Sequence, residues 1–162
     1  MNGVFSAGFV AARDLLCGFA AVALYTWLMN PPKRILIPAS AIGAVGYMLY
    51  DLIYSFGRQE ILGYFVGTLF VAVCGEIMAR IFKAPSTIFV FPGIIPLVPG
   101  IGLYHTMLYI VRAEYDSAAD AGARALLSAA VMAVAIAITN LIARYVFPRG
   151  ERMRGISKKR EK

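Results

Sequence analysis

Long apolar runs separated by short polar clusters set the pattern of this chain. A bilayer core about 30 Å thick is crossed by about 20 apolar residues in a helix, and five runs approach or exceed that length. The first starts at about residue 4 or 15, depending on where Arg13 and Asp14 lie. It extends to residue 29 and stops at Asn30-Pro31-Pro32-Lys33-Arg34. The second covers 35–56 and ends at Gly57-Arg58-Gln59-Glu60; the third covers 61–82 and ends at Lys83-Ala84-Pro85. The fourth, 87–111, is long enough to span, but Pro92, Pro96 and Pro99 puncture it. A polar turn over 112–124, bearing Glu114, Asp116 and Asp120, precedes an alanine-rich fifth run over 125–147. The links are short, so neighbours are expected to be antiparallel. The pattern predicts an all-α polytopic membrane bundle of about five transmembrane helices with a Pro/Gly-broken fourth span. The bundle occupies 1–147 and a basic cytoplasmic tail 148–162.

Small residues four apart let helices approach closely in lipid. Ala39 with Gly43, Gly63 with Gly67, and Ala129 with Ala133 and Ala137 are therefore predicted contact faces. Composition agrees with a membrane solvent: 60% of residues are hydrophobic and the mean hydropathy is +0.71, above what a soluble domain can bury. The formal charge of +7 gathers at segment ends and in the tail, where seven basic residues stand against two acids. That distribution describes a membrane-facing tail rather than a folded basic surface for nucleic acid, so no nucleic-acid partner is expected. Lys33, Arg34, Arg80, Lys83 and the tail fall on one side of the bundle, Arg58, Arg112 and Arg124 on the other. The richer side is expected to be cytoplasmic. The N-terminus then lies outside and the C-terminus inside a bacterial cytoplasmic (inner) membrane. The opening residues carry no basic leader and are read as the first helix. Cys17 and Cys74 sit singly in apolar stretches and read as packing residues.

The segment Phe91-Pro92-Gly93-Ile94-Ile95-Pro96-Leu97-Val98-Pro99-Gly100-Ile101-Gly102-Leu103-Tyr104 is the most informative. As a helix it would deprive the carbonyls of Ile88, Pro92 and Ile95 of their donors. Unpaired backbone at membrane depth persists only where it is buried in protein or lines an aqueous cavity. Broken helices of this kind build transporter sites, with half-helix N-termini facing anions. Gly93, Gly100 and Gly102 permit close approach and unusual dihedrals. Glu76 and Arg80, four apart on the third helix with the acid first, form either an interfacial pair or a pathway carboxylate with its partner. Asp51, between Tyr50 and Tyr54, reads as an interfacial anchor. His105, the only histidine, is either a packing group or a proton relay. Zinc-protease, nucleophile-elbow and phosphate-loop motifs are absent, and no second aspartate lies well inside a span to pair with Asp51. No enzyme activity, cofactor or metal is predicted.

Ala84-Pro85-Ser86-Thr87, the core Pro92-Gly93-Ile94-Ile95-Pro96-Leu97-Val98-Pro99-Gly100 and the following Gly102-Leu103-Tyr104-His105-Thr106-Met107 resemble the signature of the threonine/serine exporter family. Specifically, the chain resembles the small membrane subunit of the split form of that family. Glu76-Ile77-Met78-Ala79-Arg80 and Asn30-Pro31-Pro32-Lys33-Arg34 match further elements of that family. The resemblance covers nearly the whole chain and departs from the family at Arg13-Asp14 and in the basic tail. It implies a secondary exporter of small hydrophilic metabolites, threonine and serine or a dicarboxylate such as succinate. It also implies a larger membrane subunit as partner, and an oligomer. The pathway residues it suggests are Glu76, Arg80, Pro92, Gly93, Pro96, Pro99, Gly100 and Tyr104, joined by His105 on its chemistry. The competing expectation is a non-transporting membrane scaffold or regulatory subunit of a separate permease.

Overall fold

A computed structural model describes residues 2–57 and 59–146, with side chains for 13, 15–57 and 59–146. The basic tail, Arg58 and the Asp14 side chain, on which parts of the orientation and boundary expectations rest, lie outside the described residues. All regular structure within them is helical. Helix α1 covers Asn2–Leu28, α2 Lys33–Gly57, α3 Glu60–Ile81 and α4 Thr87–Ile94. A 3-10 turn, Ile95–Leu97, follows, then α5 at Gly100–Val111 and α6 at Tyr115–Val146. The protein is a polytopic membrane bundle. Helices α2, α3 and α6 are each long and apolar enough to cross a bilayer, and α4 with the 3-10 turn and α5 forms a further candidate bent by 51°. Helix α1 runs unbroken through Arg13 and Asp14, so neither residue ends it. Its apolar stretch within the described side chains is Leu15–Leu28.

The helix ends follow from local chemistry. Asn30, Lys83 and Ala113 take left-handed φ values of 51°, 52° and 59°. After α3, the Ala84 amide donates to the Ala79 carbonyl at 2.9 Å; after α5, the Glu114 amide donates to the Tyr109 carbonyl at 2.9 Å. Both are six-to-one closures that satisfy otherwise orphaned carbonyls. The tight turn at Ala113 also lets α6 begin at Tyr115, ten residues before the run expected to start at 125. The expected polar turn over 112–124 is thus mostly helix. Its alanines favour that state, and Asp116 in the first turn complements the positive end of the helix.

Packing centres on glycines. A Cβ added to Gly43 would lie 2.9 Å from the Gly93 Cα and 2.7 Å from a Val22 methyl, so α2 and α4 cross backbone to backbone. A Cβ on Gly67 would meet the Gly46 carbonyl oxygen at 2.9 Å, and one on Gly63 would meet the Tyr50 ring at 2.9 Å. Phe89, Leu97 and Val71 are fully buried around these crossings. The predicted small-residue faces of α2 and α3 are therefore contact faces. That of α6 is not: Ala129, Ala133 and Ala137 are exposed, and α6 instead buries Ala118, Ala125, Ser128, Met132, Ala135 and Thr139 against α3 and α5. Spacing alone did not specify which alanine stripe turned inward. Large apolar side chains such as Trp27, Phe56 and Val111 face outward, as lipid-covered surface does.

The prolines break the fourth span with less loss than expected. The Ile95 amide donates to the Pro92 carbonyl, and the Val98 amide donates to the Ile95 carbonyl at 3.2 Å. Two of the three carbonyls expected to lose their donors are thus served by tighter three-residue bonds. No described glycine has positive φ, so the expected unusual dihedrals are not used. Gly93 serves close approach instead.

Candidate functional site

Among the described residues α5 packs on α6 and on no other helix, so α5 stands apart from the ends of α2 and α3. Between them lies a cleft of about 800 Å³. Tyr47, Tyr50, Asp51 and Tyr54 line it from α2, and their three- and four-residue spacing places them on one helix face. Glu60 and Tyr64 contribute from the first turns of α3, Pro96, Val98 and Pro99 from the break, and Gly100, Ile101, Gly102, His105 and Tyr109 from α5. Ser117, Asp120 and Arg124 close the α6 side.

The wall on α2 and α3 is aromatic and acidic. The Tyr50 ring lies 4.5 Å from that of Tyr64, 6.1 Å from Tyr47 and 6.2 Å from Tyr54, centroid to centroid. The facing wall carries the start of α5. There the Gly100 amide donates to the Val98 carbonyl at 2.7 Å and the Leu103 amide to the Pro99 carbonyl at 3.2 Å. The first-turn amides of Ile101 and Gly102 have no preceding helical turn to bond, and they give this wall the partial positive charge of a helix N-terminus. Asp51, Glu60, Asp120 and Arg124 all line the cleft, yet no ion pair joins them among the described residues. His105 stands beside Tyr109 at 5.9 Å and Tyr104 at 5.6 Å, with a buried Nδ1 that has no hydrogen-bond partner. No group of three or more metal-ligating side chains occurs among the described residues.

Of the pathway residues suggested from sequence, Pro96, Pro99, Gly100 and His105 meet at this cleft, together with Gly102 and with Asp51, expected from sequence as an interfacial anchor. Pro92 and Gly93 are buried in the seal against α2 and α3. Tyr104 is 64% exposed on the outer face of α5. Glu76 and Arg80 sit toward the opposite end of α3, where Arg80 donates to Glu76 Oε2 at 3.4 Å and to the Ala143 carbonyl at 3.3 Å. That arrangement ties α3 to the last turn of α6. Sequence reading passed over Tyr47, Tyr64, Tyr109, Glu60, Asp120 and Arg124 as cleft residues. The one-face spacing of Tyr47, Tyr50, Asp51 and Tyr54 was the available signal.

A bilayer-embedded helical bundle with a proline-broken span opening on a charged cleft has the architecture of a solute transporter. The family described as Threonine/Serine exporter, ThrE, matches residues 14–142, from the middle of α1 to near the end of α6, and the chain belongs to that family. Members of this family are transporters rather than enzymes. No solved structure matches the chain.

Proposed function

We propose that this chain is the membrane subunit of a secondary exporter of small hydrophilic amino acids of the threonine and serine kind. It acts with a larger membrane subunit, and the cleft is one mouth of the solute path. The observation that carries this reading is the set of unpaired charges. Among the described residues Asp51, Glu60, Asp120 and Arg124 share an open cleft without pairing with one another, all of them at least partly accessible, which leaves both signs of charge available to a solute.

The charge balance favours an amino acid over a dicarboxylate. Two carboxylates, Asp51 and Glu60, and four neighbouring tyrosine rings form one wall that an ammonium group can use, through charge and cation–π attraction. Arg124 and the α5 N-terminus offer a smaller region for one carboxylate. A second carboxylate would meet the acids, at a cost of about 4 kcal/mol for like charges 4 Å apart near a protein surface. By the positive-inside count the cleft faces the outside, so it is the release side, with Glu76 and Arg80 near the cytoplasmic mouth. The membrane is a bacterial inner membrane.

The test is efflux of labelled threonine and labelled succinate from proteoliposomes holding this chain with the larger subunit, and each alone. The reading expects threonine efflux only from the pair, and Asp51→Asn to lower it about tenfold or more. Efflux by the larger subunit alone would make this chain a scaffold, and succinate efflux without threonine efflux would reverse the substrate assignment.

A further inference from the structure

Among the buried serine and threonine hydroxyls of the described residues, one departs from the rule the others follow. Thr26, Ser40, Ser128, Thr139 and the half-buried Thr106 each donate to the carbonyl four residues earlier, at 2.6, 2.7, 3.0, 2.9 and 2.8 Å. This is the usual resting place of a helical hydroxyl in lipid. Thr68 on α3 is fully buried, and its Oγ1 has no hydrogen-bond partner. The back-bond to the Tyr64 carbonyl was available by the same geometry and is not made. A buried hydroxyl without a partner costs about 1–3 kcal/mol, so the fold retains this one at a loss.

Its position gives the loss a use. Tyr64, one turn earlier on the same face of α3, lines the cleft. Val71, one turn later, is the residue a Cβ at Gly46 or Gly93 would strike. Thr68 thus stands between the open cleft and the glycine-sealed crossing of α2, α3 and α4, about 12 Å along α3 from Glu60. This is near the middle of the 22-residue α3, and secondary transporters hold their solutes near the middle of their spans.

We infer that Thr68 is a solute-binding residue of the transport path. In this reading it lies one helical turn below the cleft, and its Oγ1 hydrogen-bonds the polar groups of a small amino acid when the glycine crossing opens. This rests on the cleft being the mouth of that path, and it adds a contact deeper than any cleft residue. The hydroxyl can donate to a carboxylate or accept from an ammonium or a solute hydroxyl. It therefore replaces water for a zwitterion in transit. The closed crossing of Gly43 on Gly93 is the state in which it waits without a partner.

The experiment compares wild type, Thr68→Val and Thr68→Ser, each as the full chain reconstituted with the membrane subunit that co-purifies with it. Threonine efflux is measured over a range of internal concentrations, together with thermal unfolding in detergent. Valine keeps the shape and removes the unpaired hydroxyl, so Thr68→Val should unfold at the same temperature as wild type or higher. Its maximal efflux rate should fall about tenfold, while Thr68→Ser stays within about threefold of wild type. Thr68→Val with wild-type efflux overturns the inference and leaves the cleft reading intact. A lowered unfolding temperature that accompanies the loss makes Thr68 a packing residue, which also overturns it. A wild-type preparation that moves neither threonine nor serine overturns the cleft reading, and the inference with it.

Discussion

At the residue scale the structure turns on which glycines have backbone against them. Gly43 has the Gly93 Cα 2.9 Å from where a Cβ would sit, and backbone cannot step aside as a side-chain tip can; nothing comes within 4 Å of a Cβ on Gly100. Gly43→Ala is therefore expected to cost about 1–3 kcal/mol by overpacking. Gly100→Ala should be neutral or raise stability by up to about 1 kcal/mol through lost freedom in the unfolded chain. Thermal unfolding of both variants in the same detergent checks the contrast, and equal effects would mean that the α2–α4 crossing is looser than described. Ala113 offers the converse case. Its φ of 59° suits glycine, so Ala113→Gly should raise the unfolding temperature, by about 1 kcal/mol of stability. The glycine pair at 63 and 67 was legible because its spacing is local. The approach of Gly43 to Gly93 was not, because it joins residues from two helices far apart in the chain and no periodicity within either reports it.

Among the elements, the broken span and the start of α6 define the cleft. Three prolines predicted the break, and the structure has a 51° bend there. What they could not reveal was that Pro92 lies in the seal while Pro96 and Pro99 lie at the opening, a division set by what α2 and α3 press against. Replacing both Pro96 and Pro99 by alanine restores two amide donors and should straighten the span. The account expects a folded protein whose threonine efflux falls about tenfold or more; full efflux would remove the break from the path. Helix α6 starts ten residues earlier than the apolar pattern predicts. Acidic residues at 114, 116 and 120 looked like a turn because charge usually marks a loop. Here Glu114 immediately precedes the helix, and Asp116 and Asp120 ride on its first turns. Amide exchange would show this directly, with protection from Ala118, whose amide donates to the Glu114 carbonyl at 3.0 Å, rather than only beyond 125, since the first turn of a helix has unbonded amides.

For the molecule as a whole, the sequence made the membrane bundle legible and left the site only partly so. Run lengths between polar clusters locate α2, α3 and the bent span closely, because a bilayer fixes how much apolar chain a crossing needs. The cleft draws on α2, α3, the break, α5 and α6 at once. Pro96, Pro99, Gly100 and His105 could be named because they sit in one unusual segment. Tyr64, Asp120 and Arg124 acquire meaning only when the helices stand side by side. The division of charge across the cleft, Asp51, Glu60 and the tyrosines opposite Arg124 and the α5 N-terminus, is a property of that assembly. It is the basis for a solute carrying both an ammonium and a carboxylate. Ser117 lines the same space, is exposed, and differs from cysteine by one atom. With Cys17 and Cys74 replaced by serine, the rate at which a membrane-impermeant thiol reagent labels Ser117→Cys measures whether threonine occupies the cleft. The account predicts labelling slowed about tenfold when threonine is present at ten times its dissociation constant. Labelling at one unchanged rate across all threonine concentrations, in a variant that still exports threonine, would contradict it.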